Sequence, residues 1–336
     1  MAELPSPVRQ LGNIHPQRAW MKCDNLSHSV YGGNKIRKLE FIIPELKRKN
    51  IRQVITLGGK GSNSGVAVAM VCQQLGIACR IYVFDQQPSE TVQKNFALMQ
   101  SFNAELIPVG SSIGAGLSYY LDWRRFCPGH YFLYAGCSNT VSVFGYVNAM
   151  LELKQQVDAG VCPAPDHIVL ATGSCSTLAG LLLGSALLDW PIRITGVRVA
   201  PDYVGPVPGC TPGLVTKLMK DALRLMQQVY PQLHSLELPV PQMTGRYYKD
   251  SHGGGYGIPT VASKQAMARA FESEQLSLEA TYTGKAFAAF LDTVENSDDV
   301  VLFWNTHNSR DTCTINGVTI DGNQSMGPDS IEKLKR

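Results

Sequence analysis

Two lysines that follow a pair of glycines are the first residues whose types and spacing suggest chemistry. The segment reads Gly32-Gly33-Asn34-Lys35, and Lys38 follows three residues later. The glycines permit a tight turn, and we expect Asn34 to cap a helix that begins at Lys35. The two lysines then lie one turn apart, where burial and a neighbouring cation lower the pKa of an amine so that it can form a Schiff base. The alternative is a basic, solvated helix start.

A second glycine-rich turn, Gly58–Gly65, joins a predicted strand to a predicted helix. Ser62 and Asn63 open that helix, and the backbone N–H groups there form an anion site suited to a carboxylate or a phosphate. One alternative is a plain capped helix. Another is an altered dinucleotide fingerprint, which requires glycine at the position of Ser64 and an acidic residue at the end of the next strand, where Asp85 stands.

A third turn of small and hydroxyl residues follows the predicted strand His167–Leu170. Its residues are Thr172, Gly173, Ser174, Cys175, Ser176 and Thr177. Backbone N–H groups and hydroxyls at a helix N-terminus suit a phosphate ester. The turn is not a Walker loop, because no lysine follows the glycine. The alternative is a tight turn with a capping serine.

Strands and helices alternate around these turns, which predicts an α/β protein with largely parallel sheets covered on both faces. In such sheets ligands bind beyond the carboxyl ends of the strands, and the three turns follow predicted strands or open predicted helices. The predicted strands are 53–57, 79–84, 105–109, 131–135, 167–172, 193–199 and 299–304. The predicted helices are 62–75, 89–102, 139–157, 176–190, 216–230, 260–275 and 284–295.

Composition and charge limit the class of protein. The chain has 336 residues, of which 44% are hydrophobic and 17% charged, as in an ordinary globular protein. A net charge of +3 gives no reason to expect nucleic acid or a membrane surface as partner. The nine cysteines form no C-x-x-C pair, so we expect no metal. The first ten residues lack the pattern of a signal peptide, and we expect a cytoplasmic protein.

In their order along the chain, the three turns resemble those of the 1-aminocyclopropane-1-carboxylate deaminase and D-cysteine desulfhydrase family. This family belongs to the tryptophan-synthase-β-like (type II) pyridoxal-phosphate enzymes. The resemblance covers about residues 22–305 and is most specific over 32–44. It implies two open, largely parallel twisted sheets with flanking helices. It also implies a large cofactor-binding domain of residues 1–37 plus 149–336, a small domain of residues 38–148, a small amino-acid substrate and a homodimer.

The resemblance implies a role for each matching residue. Lys35 binds pyridoxal 5′-phosphate, Lys38 contacts its phosphate, and Asn63 bonds its phenolic oxygen. The implied cofactor-binding residues are Lys35, Lys38, Asn63, Thr172, Gly173, Ser174, Cys175, Ser176, Thr177 and Thr306. The implied catalytic residues are Lys35, Ser62, Tyr256 and Tyr282. The expected substrate-binding residues are Lys60, Ser62, Asn63, Ser64 and Thr283.

Departures from the family pattern concern the substrate side. Lys60 stands where relatives have an uncharged residue, and it either faces solvent or meets a second anion of the substrate. His307 is either a substrate ligand or a polar residue at a strand end. Thr283 follows Tyr282 where ring-opening deaminases carry glutamate. A hydroxyl from Thr283 or Thr306 leaves the pyridine nitrogen neutral, which suffices for α,β-elimination to pyruvate and ammonia.

Three other interpretations remain open at this stage. The first is ring opening of the cyclopropane amino acid. The second is a catalytically inactive protein of the same fold that binds the cofactor. The third, from another class, is a Rossmann-type oxidoreductase that uses the Gly58–Gly65 loop for a nicotinamide cofactor.

Overall fold

The computed structural model of the protein describes residues 1–204, 207–250 and 253–310, together with two short strands near residues 314–319. The residues beyond 319, which the larger predicted domain includes, lie outside this part. None of the helices in the described part is long and apolar enough to cross a membrane. The eight cysteines within the described residues are all free thiols.

Strands and helices alternate along most of the chain, as the sequence predicted. The strands are β1 (Val8–Gln10), β2 (Ala19–Lys22), β3 (Gln53–Gly59), β4 (Ala78–Phe84), β5 (Glu105–Gly110), β6 (His130–Phe132), β7 (His167–Thr172), β8 (Arg193–Arg198), β9 (Tyr203–Val204), β10 (Val207–Pro208), β11 (Gln242–Thr244), β12 (Lys249–Asp250), β13 (Gly253–Gly254), β14 (Val301–Trp304), β15 (Thr314–Ile315) and β16 (Val318–Thr319). The helices are α1 (Asn34–Arg48), α2 (Asn63–Leu75), α3 (Glu90–Ser101), α4 (Ser112–Leu121), α5 (Phe144–Asp158), α6 (Ser176–Leu187), α7 (Pro212–Gln227), α8 (Val261–Glu274) and α9 (Thr283–Asn296).

Two sheets carry the architecture. The larger has six strands in the order β1-β2-β14-β7-β8-β11, and only the β1–β2 pair in it is antiparallel. The smaller has four parallel strands in the order β5-β4-β3-β6. This confirms the predicted α/β class with two largely parallel sheets and flanking helices.

Helices cover both faces of each sheet, because successive side chains of a buried strand point to opposite sides. In β7, Ile168 and Leu170 pack with α5, α6 and α7, whereas Val169 and Ala171 pack with α8 and α9. The smaller sheet packs one face against α1, α2 and α3. Its other face packs against α4 through buried side chains such as Tyr119.

Helix α4 was not predicted from the sequence. It contains Gly114 and Gly116, which lower helix propensity. The Ser111 hydroxyl caps it by accepting a hydrogen bond from the Gly114 N–H at 3.0 Å. Ala115 and Tyr119 are buried against the sheet, so tertiary packing stabilises a helix that local sequence does not favour.

A buried ionic network fixes α1 to the larger sheet. The Arg37 guanidinium bonds both carboxylate oxygens of Glu152, at 2.8 and 2.9 Å, and one oxygen of Asp24 at 2.9 Å. Lys22 Nζ lies 2.5 Å from Glu152. Asp24 also accepts from the Trp304 indole at 2.7 Å. Buried charges are stable only when paired and hydrogen-bonded, as these are, so the network sets the position of the helix that carries Lys35.

Candidate active site

The turn before α1 depends on its two glycines. A Cβ atom on Gly32 would lie 2.3 Å from the carbonyl oxygen of Asn25, so only glycine fits there. Gly33 has a φ of 93° and is the N-cap residue of α1. The Asn34 N–H donates to the Thr306 carbonyl at 3.2 Å, which holds the start of α1 against the end of β14.

The expected capping role of Asn34 is wrong. The helix begins at Asn34 itself, and Gly33 makes no side-chain cap. The Asn34 side chain instead donates from Nδ2 to Thr177 Oγ1 at 3.0 Å and accepts from Lys35 Nζ at 2.5 Å. Asn34 therefore ties the lysine to the start of α6.

A cavity of about 360 Å³ opens at the carboxyl ends of β3 and β7. Its volume lies in the range of about 300–1,000 Å³ that is typical of small-ligand sites. Most of the residues predicted for the site line it. These are Lys35, Lys38, Ser62, Asn63, Ser64, Thr172, Gly173, Ser174, Cys175, Thr177, Tyr256, Tyr282 and Thr306. The three turns singled out in the sequence thus meet in one place.

Both lysines of the first turn have amines whose pKa is lowered, which favours their uncharged form. Burial lowers the pKa of Lys35. Burial, and then the charge of Lys35, lower the pKa of Lys38 to about 7. The Lys35 amine lies 5.9 Å from the centre of the Tyr282 ring, and Lys38 Nζ donates to the Gly136 carbonyl at 3.2 Å. An amine with a lowered pKa is available for Schiff-base formation and for proton abstraction.

The start of α2 is organised by its own hydroxyl and amide groups. Ser62 caps the helix by accepting from the Gly65 N–H at 3.1 Å, which is the capped helix that the sequence left open as an alternative. Its hydroxyl lies 2.9 Å from that of Ser64. Asn63 Oδ1 accepts from Tyr31 at 2.9 Å and from Asn95 at 2.8 Å. These bonds orient the Asn63 amide so that its NH₂ group suits an oxygen acceptor.

The turn from β7 into α6 fits a phosphate group. Cys175 has a φ of 67°, in the left-handed region, and α6 begins at the next residue. The first turn of a helix leaves backbone N–H groups without intrahelical partners. The buried hydroxyls of Thr172 and Ser176 also have no hydrogen-bond partner among the described residues. Lys38 and Thr172 both line the cavity, and together with these backbone N–H groups they form a cradle for a phosphorylated cofactor.

Ser176 itself does not line the cavity, although Cys175 and Thr177 do. Its side chain is fully buried. The expected contact of the Ser176 side chain with the phosphate is therefore not supported.

Two tyrosines form a hydrogen-bonded pair on the cavity wall. The hydroxyls of Tyr256 and Tyr282 lie 2.7 Å apart, and the rings meet edge to face with centres 6.1 Å apart. Burial raises the pKa of each hydroxyl. Both phenols therefore keep their protons at neutral pH and can act as donors or general acids.

Glu279 is a cavity residue that the sequence analysis missed. Its carboxylate accepts from the N–H groups of Thr281 and Tyr282 at 2.7 Å and of Thr283 at 2.8 Å. It therefore caps α9 and holds the backbone of Tyr282 in place. Its position a few residues before a predicted helix is the sequence feature that could have indicated this capping role.

The expected contact of Thr283 with the substrate is not supported. Thr283 is fully buried, and its Oγ1 accepts from the Glu279 N–H at 3.1 Å. It does not line the cavity, whereas Thr306 does. Of the two threonines considered as partners of the ring nitrogen, Thr306 is therefore the one on the cavity wall. Thr283 stabilises the start of α9.

Lys60 is also placed away from the cavity. Its Nζ lies 2.6 Å from Asp85, and 37% of its side chain is exposed. This corrects the expected substrate contact, because the ammonium is held at the surface by a carboxylate. His307, for which the sequence left two roles open, does line the cavity, and burial lowers its pKa so that the ring is mostly neutral.

Comparisons with known proteins agree with this arrangement. Residues 1–306 match the family described as pyridoxal-phosphate dependent enzyme. A putative 1-aminocyclopropane-1-carboxylate deaminase from Thermotoga maritima is 28% identical over 310 residues, 90% of this chain and 93% of the relative. A D-cysteine desulfhydrase from Salmonella paratyphi A is 28% identical over 320 residues, 90% of this chain and 91% of the relative.

Solved structures share the fold. A crystal structure described as an ACC deaminase homologue superposes with a TM-score of 0.75 at 26% identity and covers 90% of this chain and 89% of its own. The serine racemase of Dictyostelium discoideum superposes with a TM-score of 0.61 at 16% identity and covers 90% and 91%. The family match replaces the interpretation as a nicotinamide-dependent oxidoreductase. With most of its length matched and a cavity whose lysines and phosphate cradle fit the cofactor, the chain belongs to the family of pyridoxal-phosphate dependent enzymes.

Proposed function

We propose that the protein catalyses α,β-elimination from a β-substituted amino acid, giving pyruvate, ammonia and the β-leaving group. The observation that carries this proposal is the shared cavity of the Lys35 amine and the Tyr256–Tyr282 pair. The Lys35 amine has a lowered pKa and suits a base, while the Tyr282 hydroxyl has a raised pKa, keeps its proton and suits an acid. Pairs of groups whose environments separate their pKa values in this way are typical of acid–base sites.

The donors around the cavity support a position for the cofactor. We propose that Lys35 carries it, that Lys38 and the residues of the third turn hold its phosphate, and that Asn63 donates to its phenolic oxygen. Thr306 is proposed to face its ring nitrogen. When bound, pyridoxal phosphate supplies an electron sink that stabilises negative charge at the Cα atom of the amino acid.

Residues of the protein bind the substrate and transfer the protons. The N-terminus of α2, with Ser62 and Ser64, binds the α-carboxylate of the substrate. Lys35 removes the proton from Cα, since its lowered pKa makes the amine available as a base. The hydroxyl of Tyr282 or of Tyr256 donates a proton to the leaving group.

The choice between elimination and ring opening depends on what meets the ring nitrogen. Glu279 is the one acidic residue among the described residues that line the cavity, and its oxygens accept three backbone N–H bonds. Its role as a helix cap supports the neutral hydroxyl of Thr306 as the nitrogen's partner. A neutral ring favours elimination from an amino acid with a good leaving group over ring opening.

The test is a comparison of products from the purified holoenzyme. We expect more pyruvate from D-cysteine or β-chloro-D-alanine than 2-oxobutyrate from 1-aminocyclopropane-1-carboxylate, with the L-amino acids run in parallel. Faster formation of 2-oxobutyrate would establish ring opening instead. A protein that binds the cofactor but releases no oxo acid from any of these compounds would be an inactive relative.

We also propose the two-domain division at residues 1–37 plus 149–336 and 38–148. All strands of the smaller sheet lie within residues 53–132, and those of the larger lie within 8–22 and 167–304, which supports it. A homodimer in a reducing cytoplasm is the proposed state, and the free thiols support such a compartment. Light scattering of the holoenzyme tests the dimer.

A further inference from the structure

The charged side chains on the cavity wall are confined to its base. Among the described residues that line it, these are Lys35 and Lys38 on α1 and Glu279 before α9. Each is engaged by the cofactor site or by the cap of α9. The cation next to the cavity loop, Lys60, is paired with Asp85 and lies off the wall. A second anionic group on the substrate would therefore find no free charged partner among the described residues that line the cavity.

The mouth of the cavity is apolar on the side formed by α4. Ile113, Leu117 and Tyr120 line it, and they follow one another at helical spacing on a single face. Val204 and Pro201 line the cavity from another part of the chain. Among the described residues, the exposed part of the cavity wall is thus mainly apolar, although Ser112 also lines it from α4. The charged side chains of the wall lie at the starts of α1 and α9.

These α4 side chains are exposed. The exposed fractions are 58% for Ile113, 56% for Leu117 and 47% for Tyr120. Apolar surface that lines a pocket with polar groups at its base is typical of a ligand subsite. Covering it gains about 25 cal/mol for each Å² removed from water.

We propose that Ile113, Leu117 and Tyr120 bind a bulky apolar β-substituent of the substrate. The preferred substrates are then S-alkyl or S-aryl cysteines rather than cysteine itself. This inference rests on the proposed function. In the reaction the C–S bond breaks, the sulfur leaves as an apolar thiol with a proton from the enzyme, and water converts the remaining three-carbon product to pyruvate and ammonium.

The alternative occupant of this face is a second copy of the chain, because the apolar surface of α4 continues past the cavity to Leu121. Leu121 is 77% exposed and does not line the cavity. Leu117 and Leu121 are thus the same residue type one turn apart on one helix, and only Leu117 faces the cavity. This pair allows the two occupants to be distinguished.

The experiment compares S-benzyl-cysteine with cysteine, each as both enantiomers, on the wild-type holoenzyme, Leu117→Ala and Leu121→Ala. We expect the wild type to have the higher kcat/KM for S-benzyl-cysteine. Leu117→Ala should lower that value about tenfold, mainly through KM, because apolar pocket contacts contribute uniform binding. Cysteine should be little affected, and Leu121→Ala should behave as wild type with both substrates.

A binding measurement provides a readout that does not need turnover. Phenylalanine and alanine have no β-leaving group, so calorimetry reports their affinity for the holoenzyme directly. Phenylalanine should bind more tightly than alanine, and Leu117→Ala alone should remove the difference. If no compound yields pyruvate but this pattern holds, the subsite stands and the proposed reaction falls.

Other outcomes overturn the subsite. Equal losses for cysteine and S-benzyl-cysteine in Leu117→Ala would do so while leaving the elimination reaction intact. Equal effects of Leu117→Ala and Leu121→Ala on the oligomeric state, with no change in substrate preference, would assign the α4 face to a second copy of the chain.

Discussion

The hydroxyls of Tyr256 and Tyr282 lie 2.7 Å apart, and one lysine holds the elements that carry them together. Lys285, in the first turn of α9 and three residues after Tyr282, donates from Nζ to the Gly255 carbonyl at 2.6 Å, next to Tyr256. The Tyr282 ring lies 5.9 Å from the Lys35 amine. The pair is therefore held in place near the Lys35 amine, as the proposed acid and base roles require.

Replacing Tyr282 by phenylalanine should affect substrates according to their leaving groups. A thiolate needs a proton to leave readily, whereas chloride leaves without one. We expect Tyr282→Phe to lower kcat for cysteine by about 10²-fold or more, with a much smaller loss for β-chloroalanine. Tyr256→Phe is the matched variant and shows which hydroxyl delivers the proton. Equal losses for both substrates in both variants would assign the pair a positioning role.

Reduction of the holoenzyme with borohydride should fix the cofactor on Lys35. The chain places two desolvated amines at the cavity, and Lys38 is the internal control. Peptide mapping should recover the label at Lys35, and Lys35→Ala should lose both the label and the visible absorbance. Lys38→Ala should keep its label at Lys35. Label at Lys38 in the wild type would overturn the assignment of the Schiff base.

The affinity for the cofactor's phosphate should depend on pH through Lys38. Its pKa in the free protein is lowered to about 7, and a phosphate dianion beside it raises that pKa. Binding then takes up a proton, so affinity should fall as the pH rises above that value, by up to about tenfold per pH unit. Pyridoxine 5′-phosphate has no aldehyde and reports this by calorimetry without reacting with Lys35.

Lys38→Arg is the control for this pH dependence. The guanidinium stays charged over the whole range, so the affinity of the variant should not fall between pH 7 and 9. If the variant keeps the wild-type slope, another group takes up the proton.

The parts of the site that local sequence determines were predicted. The turn at Gly32 and Gly33, the helix start at Ser62 and Asn63, and the turn at Thr172 each depend on the conformational or hydrogen-bonding properties of adjacent residues. Parallel strands place the turns after β3 and β7 at the carboxyl edges of their own sheets. Their meeting in one cavity depends on how the two sheets pack, because β3 belongs to the smaller sheet and β7 to the larger. The parts that depend on distant partners were not predicted. Helix α4, with two glycines, is one example.

The substrate contact expected for Lys60 was wrong because it depends on a partner from another strand. Strands β3 and β4 pair in parallel with Gly59 opposite Phe84, so the residues that follow, Lys60 and Asp85, are brought side by side. From the sequence, the two residues have separate expected roles: Lys60 contacts the substrate, and Asp85 belongs to the dinucleotide alternative. The strand register assigns them to each other instead.

Glu152→Gln should destabilise the protein strongly at neutral pH and weakly in acid. Burial raises the pKa of Glu152, but its bonds to Arg37 and Lys22 outweigh this and lower the pKa below the ordinary 4.5. Its contribution is therefore complete above that value and is lost as the pH falls through the lowered pKa. Breaking a buried pair costs about 3–5 kcal/mol, and urea unfolding should show this difference at pH 7 and its decline in acid.

Glu105→Gln is the matched control, because Glu105 makes a similar two-bond pair with Arg80 at the surface, where such pairs contribute less than about 1 kcal/mol. Equal effects of the two substitutions at pH 7 would contradict a structural role for the buried network.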